Sequence, residues 1–196
     1  MQNFVVSLSD IMYYIIMKKV ILLGGVLAAG KSTYAQILKE KFNITTITKD
    51  RLKEILGDNI YAENRAQNKA LSSACFDIFK YLIKQSTCNL LFECNFKPHE
   101  LVLLNTLCNE NGYKVLSIVC DADNEILHKR FIKRLGDNRH YVHKSQDFTD
   151  INDFIPVLDE LRSAPYFGQI IRVNCNDFTY QKDQALLDRI ARFLND

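Results

Sequence analysis

Short apolar-rich stretches recur along this chain at residues 20–23, 44–48, 88–94, 113–120 and 169–173. Runs of that kind, bounded by turn residues, predict strands buried on both faces, as in a parallel sheet. Between them, apolar residues recur at helical spacing. Ala35, Leu38 and Phe42 predict a helix over 34–42. Ala70, Leu71, Ala74, Phe76, Ile78, Phe79 and Leu82 predict a long one over 64–85. Further helices are expected at 50–56, ended by Gly57, and at 100–109, stopped at Gly112. Others follow at 124–135, stopped at Gly136, at 150–162, with an internal proline, and at 180–194. Strands alternating with helices predict right-handed crossovers and an α/β fold, a three-layer α/β/α domain on about five parallel strands. No repeat, linker or low-complexity tract divides it.

The first strand leads into Gly25–Ser32, GVLAAGKS, followed by Thr33. This is G-x-x-x-x-G-K-[ST], the phosphate-binding P-loop, in its strand–loop–helix setting. Gly25 and Gly30 allow a close backbone approach that a side chain would block. The amides from Gly25 through Ala28, Ala29 and Gly30 to Lys31 and Ser32 can then face an anion at a helix N-terminus. Lys31 is placed to reach β- and γ-phosphates, and the Ser32 hydroxyl to ligate Mg²⁺. Thr33 lies one residue past the usual hydroxyl and is expected to pack or cap at the edge of this nucleotide site.

In a parallel sheet, ligands bind beyond the carboxyl ends of the strands. That rule selects Asp50 and Arg51, Glu93 and Asn95, Asp121 and Asp123, and Asn174 and Asn176. Asp50 is the candidate general base for an acceptor hydroxyl. Its competing role is N-cap of the helix starting at Arg51. Glu93 closes the apolar run Asn89-Leu90-Leu91-Phe92, as in a Walker B strand whose acid holds Mg²⁺. The competing reading is a carboxylate that pairs at the sheet rim. Arg51, Glu93 and Asn95, with Asp50, are the candidate acceptor-binding residues.

Arg130 and Arg134 share a helix face, with Lys129 and Lys133 beside them. Arg139, His140 and His143 follow in a polar loop. Guanidinium groups stabilise the charge that spreads over a transferring phosphoryl, so Arg130, Arg134 and Arg139 predict an arginine-bearing lid at about 136–150. A solvated basic face is the plainer alternative. That loop has few apolar anchors and is expected to be mobile without nucleotide. His140 and His143 lack a third metal ligand, so loop-structuring contacts are the expected use.

Composition narrows the partners. The chain is 47% hydrophobic and 24% charged, ordinary for a soluble domain, and its 196 residues suit one sizeable core. A net charge of +2 makes no global case for nucleic acid or membrane. Six cysteines without a C-x-x-C pair suit buried thiols in a reducing cytoplasm. Residues 1–16 include Asp10 and lack a basic start and a cleavage site, so they are neither a signal peptide nor long enough to span a bilayer. They are expected to be a dispensable extension, or else an extra element on the sheet edge, before a domain at 17–196.

GVLAAGKST, then TKDRLKEILGD at 48–58, LLFECNFKP at 90–98, SIVCDADNEILHKRFIKR at 117–134 and RHYVH at 139–143 occur in that order. Together they resemble the small P-loop kinases labelled AAA-family ATPases or zeta-toxin-like kinases, relatives of polynucleotide kinase and chloramphenicol phosphotransferase. The resemblance spans roughly 17–175 and implies an adenylate-kinase-like core, use of ATP with Mg²⁺, and an arginine-bearing lid. It implies that Asp50 is a base or acceptor-binding group and that Arg130, Arg134 and Arg139 contact phosphates. The family's lid has proline-glycine where this chain has Tyr141-Val142, which leaves open the lid geometry and the role of His143. The expected activity is γ-phosphate transfer from ATP to a hydroxyl of a small-molecule or nucleotide-like acceptor. A polynucleotide or RNA end kinase and a regulatory ATPase without acceptor chemistry are the alternatives. Near-neutral charge weighs against nucleic acid, and nothing in the sequence decodes the acceptor or the oligomeric state.

Overall fold

A computed structural model describes residues 17–135, 139–144 and 148–196. The expected extension at 1–16 and the lid positions 136–138 and 145–147 lie outside the described residues. The strands are β1 (Lys19–Gly25), β2 (Thr45–Thr48), β3 (Leu90–Glu93), β4 (Lys114–Asp121) and β5 (Gln169–Asn174). All pair in parallel, in the order β2-β3-β1-β4-β5. The helices are α1 (Lys31–Phe42), α2 (Lys49–Asn59), α3 (Arg65–Gln85), α4 (Pro98–Glu110), α5 (Asn124–Leu135), α6 (Ile151–Arg162) and α7 (Gln184–Asn195). The expected three-layer α/β/α fold is present.

Alternation along β1 builds both layers. Ile21 and Leu23 join the core beneath α1, α5, α6 and α7, where Tyr34, Leu38, Phe131, Phe154, Leu158 and Ile190 are buried. Val20 and Leu22 face the other core, filled by Phe76, Phe79 and Ile83 of α3 and by Leu101 and Leu104 of α4. There the Phe79 ring stacks on Phe92 at 4.4 Å between centroids. Fully burying each such side chain contributes about 1.5–3 kcal/mol. Pro156 sits inside α6 and removes a backbone donor, yet Phe154, Leu158 and Leu161 still bury the helix face.

Register then sets the site. Leu23 pairs with Glu93, Thr48 with Glu93, and Gly25 with Cys120. The loop after β1 therefore stands between the ends of β3 and β2 on one side and those of β4 and β5 on the other. Strand connections reverse direction about β1, the place where such sheets bind ligands.

The structure corrects three local expectations. Gly57 does not end α2 but lies buried within it. The last helix starts at Gln184, after a 3₁₀ turn at Thr179–Lys182, because Asp183 caps it by accepting from Leu186 N at 3.2 Å. Asp50 does not cap its helix: Thr48 holds the N-cap position and Asp50 lies one residue inside α2.

Candidate active site

The loop after β1 is a nest. Gly25, Ala28 and Gly30 take left-handed angles, with φ of 116°, 60° and 89°. Glycine is required at the two ends on space as well as angle. A Cβ on Gly25 would lie 2.0 Å from the Cys120 carbonyl oxygen, and one on Gly30 would lie 2.8 Å from the Tyr180 hydroxyl. Ala28, with a side chain, holds the left-handed angle at some cost in strain, as backbone at functional sites often does. The nest is fastened from below. Val26 N donates to the Cys120 carbonyl at 3.1 Å, Gly25 N to the Tyr166 hydroxyl at 2.6 Å, and the Tyr180 hydroxyl to the Ala29 carbonyl at 3.3 Å.

Lys31 is only 5% exposed, and its ammonium donates to the Val26 carbonyl across the loop. Ser32 and Thr33 stand exposed at the start of α1. Glu93 is 5% exposed, and the Ser32 side chain lies near enough to act on its carboxyl. Its carboxyl is pushed up to about 7, chiefly by burial. Lys31 and Ser32 oppose the rise, Asp50 adds to it, and Arg134 opposes it. The structure thus brings Lys31, Ser32, Glu93, Asp50 and Arg134 into one electrostatic neighbourhood.

Asp50 in the first turn of α2 sits favourably at the helix N-terminus. Its charge also reaches Lys53 and His143. Two lysines beside it were not foreseen. Lys49 pairs with buried Glu100 at 3.0 Å, and Glu100 also accepts from Lys97 N at 2.9 Å, at the first turn of α4. Burial alone would lower the Lys49 ammonium, but its carboxylate partner Glu100 helps raise it overall. Lys53 donates to the Val142 carbonyl at 3.1 Å, and its burial pulls the ammonium down. The signal for both was present: they flank Asp50 on the helix that follows β2. Asn95 follows β3 with its Oδ1 buried and lacking a hydrogen-bond partner among the described residues. Arg51 is exposed and pairs with Glu54 at 3.1 Å.

The arginines separate. Arg134 reaches the centre through its effect on Glu93. Arg130 instead donates to the Cys175 and Asn176 carbonyls at 2.7 and 3.0 Å and lies over the Phe178 ring at 4.2 Å. Arg139 is partly buried, and its charge lowers His143, whose imidazole is pulled down first of all by burial. His140 pairs with Asp58 at 3.0 Å and His143 with Glu54 at 3.2 Å, so both histidines fasten the loop to α2. The expected scarcity of apolar anchors fails at Val142, which is 1% exposed.

On the β4–β5 side, Asp121 receives both Arg162 Nε and Nη2 at 3.0 Å, and Asp123 receives Asn176 Nδ2 at 2.9 Å. Asp121, Asp123, Asn174 and Asn176 line an open groove of about 660 Å³, across the sheet from Glu93 and Asp50. Its volume is not a guide to the chemistry, because the convergent titratable groups lie at the ends of β1, β2 and β3.

The left-handed turns of the nest at a helix N-terminus, with the Lys31 ammonium beside them, suit a phosphate chain. A hard cation fits the oxygen pair Ser32 and Glu93. Among the described residues, no group of three or more histidine, cysteine, aspartate or glutamate side chains forms a metal cluster. No helix among them is long and apolar enough to cross a membrane.

Fold and loop together define a P-loop domain of the small-kinase type. A family model described as AAA domain matches residues 20–150, and the chain belongs to that family. No curated protein sequence matches it. Among solved structures, a candidate kinase from Chloroflexus aurantiacus J-10-fl superposes with a TM-score of 0.72 at 20% identity, covering 90% of this chain and 97% of that one. The APS kinase of Mycobacterium tuberculosis, in complex with AMPPNP and APS, gives 0.58 at 16% identity, covering 89% and 98%. Shikimate kinase from Bacteroides thetaiotaomicron gives 0.56 at 14% identity, covering 91% and 99%. At these identities the likeness is one of fold.

Proposed function

We propose that this protein is an ATP-dependent phosphotransferase acting on a hydroxyl of a small molecule. The observation that carries the reading is the meeting of Lys31, Ser32, Glu93 and Asp50 at the ends of β1, β2 and β3. ATP with Mg²⁺ would supply the γ-phosphoryl group and neutralise its charge. The loop amides and Lys31 hold the phosphates, with Gly25, Ala28, Ala29 and Gly30 shaping the nest and Thr33 at its margin. Ser32 and Glu93 hold the cation. Asp50 orients the acceptor hydroxyl and takes its proton. Arg134 and Arg139 complete the positive shell. Arg130, already bound to two carbonyls, lines the nucleoside side with Phe178 instead of the phosphates.

The acceptor lies on the β2–β3 side, near Asn95, whose unpartnered Oδ1 offers a buried acceptor to a substrate hydroxyl. Arg51 borders that side. APS kinase and shikimate kinase, by their names, act on small molecules, in keeping with this choice. All six cysteines are free thiols, five of them buried, which suits a cytoplasmic enzyme.

The test is a screen for transfer of labelled γ-phosphate to sugars, aminocyclitols, nucleosides and oligonucleotide ends, with Lys31→Ala alongside. Transfer to a small-molecule hydroxyl, lost in Lys31→Ala, is the expected result. Transfer confined to oligonucleotide ends would make this an end kinase. ATP hydrolysis without any acceptor would make it a regulatory ATPase.

A further inference from the structure

Gly57 is an anomaly in α2, since glycine weakens a helix interior relative to alanine. Its φ is not in the left-handed range that would call for glycine. Space is what calls for it. A Cβ there would lie 2.6 Å from Val142 Cγ1, 3.2 Å from His140 Cε1 and 3.2 Å from the Tyr141 hydroxyl. Val142 fills this notch and is buried. Its carbonyl accepts from Lys53 Nζ and Asn68 Nδ2, each at 3.1 Å. The Tyr141 hydroxyl donates to the Gly57 carbonyl at 2.8 Å and accepts from Ala62 N at 3.2 Å. With the His140–Asp58 and His143–Glu54 pairs, every residue from 140 to 143 is fastened to α2, α3 or the turn between them.

The same helix carries Asp50, and Lys53 joins the two ends of the arrangement. It lies in the field of the Asp50 carboxylate while donating to Val142. Arg139 directly precedes the fastened residues. Tyr141 supplies the strap and Val142 the plug, roles that the proline-glycine pair of related lids could not fill, having neither an aromatic hydroxyl nor a branched side chain.

We propose that Gly57 and Val142 are positioning residues for phosphoryl transfer: the Val142 seat in the Gly57 notch holds Arg139 in fixed register with Asp50. The proposal rests on the kinase reading above. Displacement of a charged group by about an ångström can cost about 10²-fold in rate. The seat therefore acts on turnover more than on nucleotide affinity.

The test compares Gly57→Ala, Val142→Ala and the double variant with the wild type. Alanine favours the helix, so Gly57→Ala should fold, which circular dichroism checks. In nucleotide-free protein, amide exchange at 141–144 should speed up in Gly57→Ala, while the sheet is unchanged. With the acceptor found by the transfer screen, kcat should fall by roughly 10- to 100-fold while KM for ATP stays within about twofold. The double variant removes Val142 Cγ1 and should recover much of both the protection and kcat. Unchanged exchange and kcat in Gly57→Ala, or a double variant no better than Gly57→Ala, overturns the proposal while wild-type transfer leaves the kinase reading standing. Absence of transfer by the wild type overturns the kinase reading and the positioning role with it.

Discussion

Glu93 is a carboxyl with a buried side chain, a lysine on one side and a second carboxylate nearby. Burial outweighs the cation, so the group is pushed up from 4.5 to about 7. A carboxyl raised in the folded state binds its proton more tightly there than when unfolded. Stability that the proton confers is therefore complete below the unfolded value and is lost as pH rises through about 7. Above that window the ionised group costs on the order of 3 kcal/mol. Glu93→Gln removes the ionisation and keeps the shape. In nucleotide-free protein, urea unfolding should find the variant close to wild type at pH 5 and more stable by a few kcal/mol, roughly, at pH 8. Its Mg²⁺-dependent affinity for ATP should fall, because a neutral amide is a poorer partner for a hard cation. A stability difference that is the same at both pH values would show that burial does not govern this carboxyl.

At the scale of elements, α2 is the helix on which sequence and structure part. Its existence and its Asp50 are plain in the pattern, and so are β1, the nest, and the acid ending β3, because each is written in consecutive residues. Its boundaries are not. Thr48 rather than Asp50 takes the cap, and Gly57 continues the helix, because its conformation answers to Val142, a residue far along the chain. The Lys53–Val142 hydrogen bond that secures this fit spans 89 positions. Periodicity reads neighbours within a turn or two, so a notch cut for a distant plug looks like a helix stop. Lys49 stands in plain view beside Asp50, but its pairing with Glu100, 51 positions away, falls under the same limit. The corrected boundary sharpens the test of Asp50. With no cap to lose, Asp50→Asn forfeits its helix-dipole contribution, about 0.3–1 kcal/mol, and its field on Lys53 and His143. Loss of the proton acceptor should still lower transfer by about 10²-fold or more. Thermal unfolding set beside turnover separates the two, and a loss of stability of several kcal/mol would return Asp50 to a structural role.

Across the whole molecule, the nest depends on residues beyond the segment that the AAA domain model matches, 20–150. Tyr180, before α7, reaches the Ala29 carbonyl and stands edge-on to Tyr34, with ring centroids 5.2 Å apart. Lys19 at the start of β1 donates to the Leu194 carbonyl in α7 at 2.9 Å, so the strand that feeds the nest is also held at its far end. The tightest support is Tyr166, between α6 and β5. Its hydroxyl accepts from Gly25 N, and it presses so closely on Gly24 that a Cβ there would lie 2.1 Å from that oxygen. This explains a glycine that the phosphate-binding motif does not specify. Tyr166→Phe keeps the ring and its edge contact with Phe96, centroids 6.4 Å apart, and removes only the oxygen. The Gly25 amide then loses its partner in a buried setting, a cost of about 1–3 kcal/mol. Urea unfolding should register that loss, and titration with a non-hydrolysable ATP analogue should show weaker binding, since Gly25 begins the nest. Gly24→Ala should be worse on both counts, because the intruding methyl meets the whole phenol and not one atom of it. If Tyr166→Phe matches the wild type in both stability and nucleotide affinity, the nest is held by its own segment alone and the distant support is incidental.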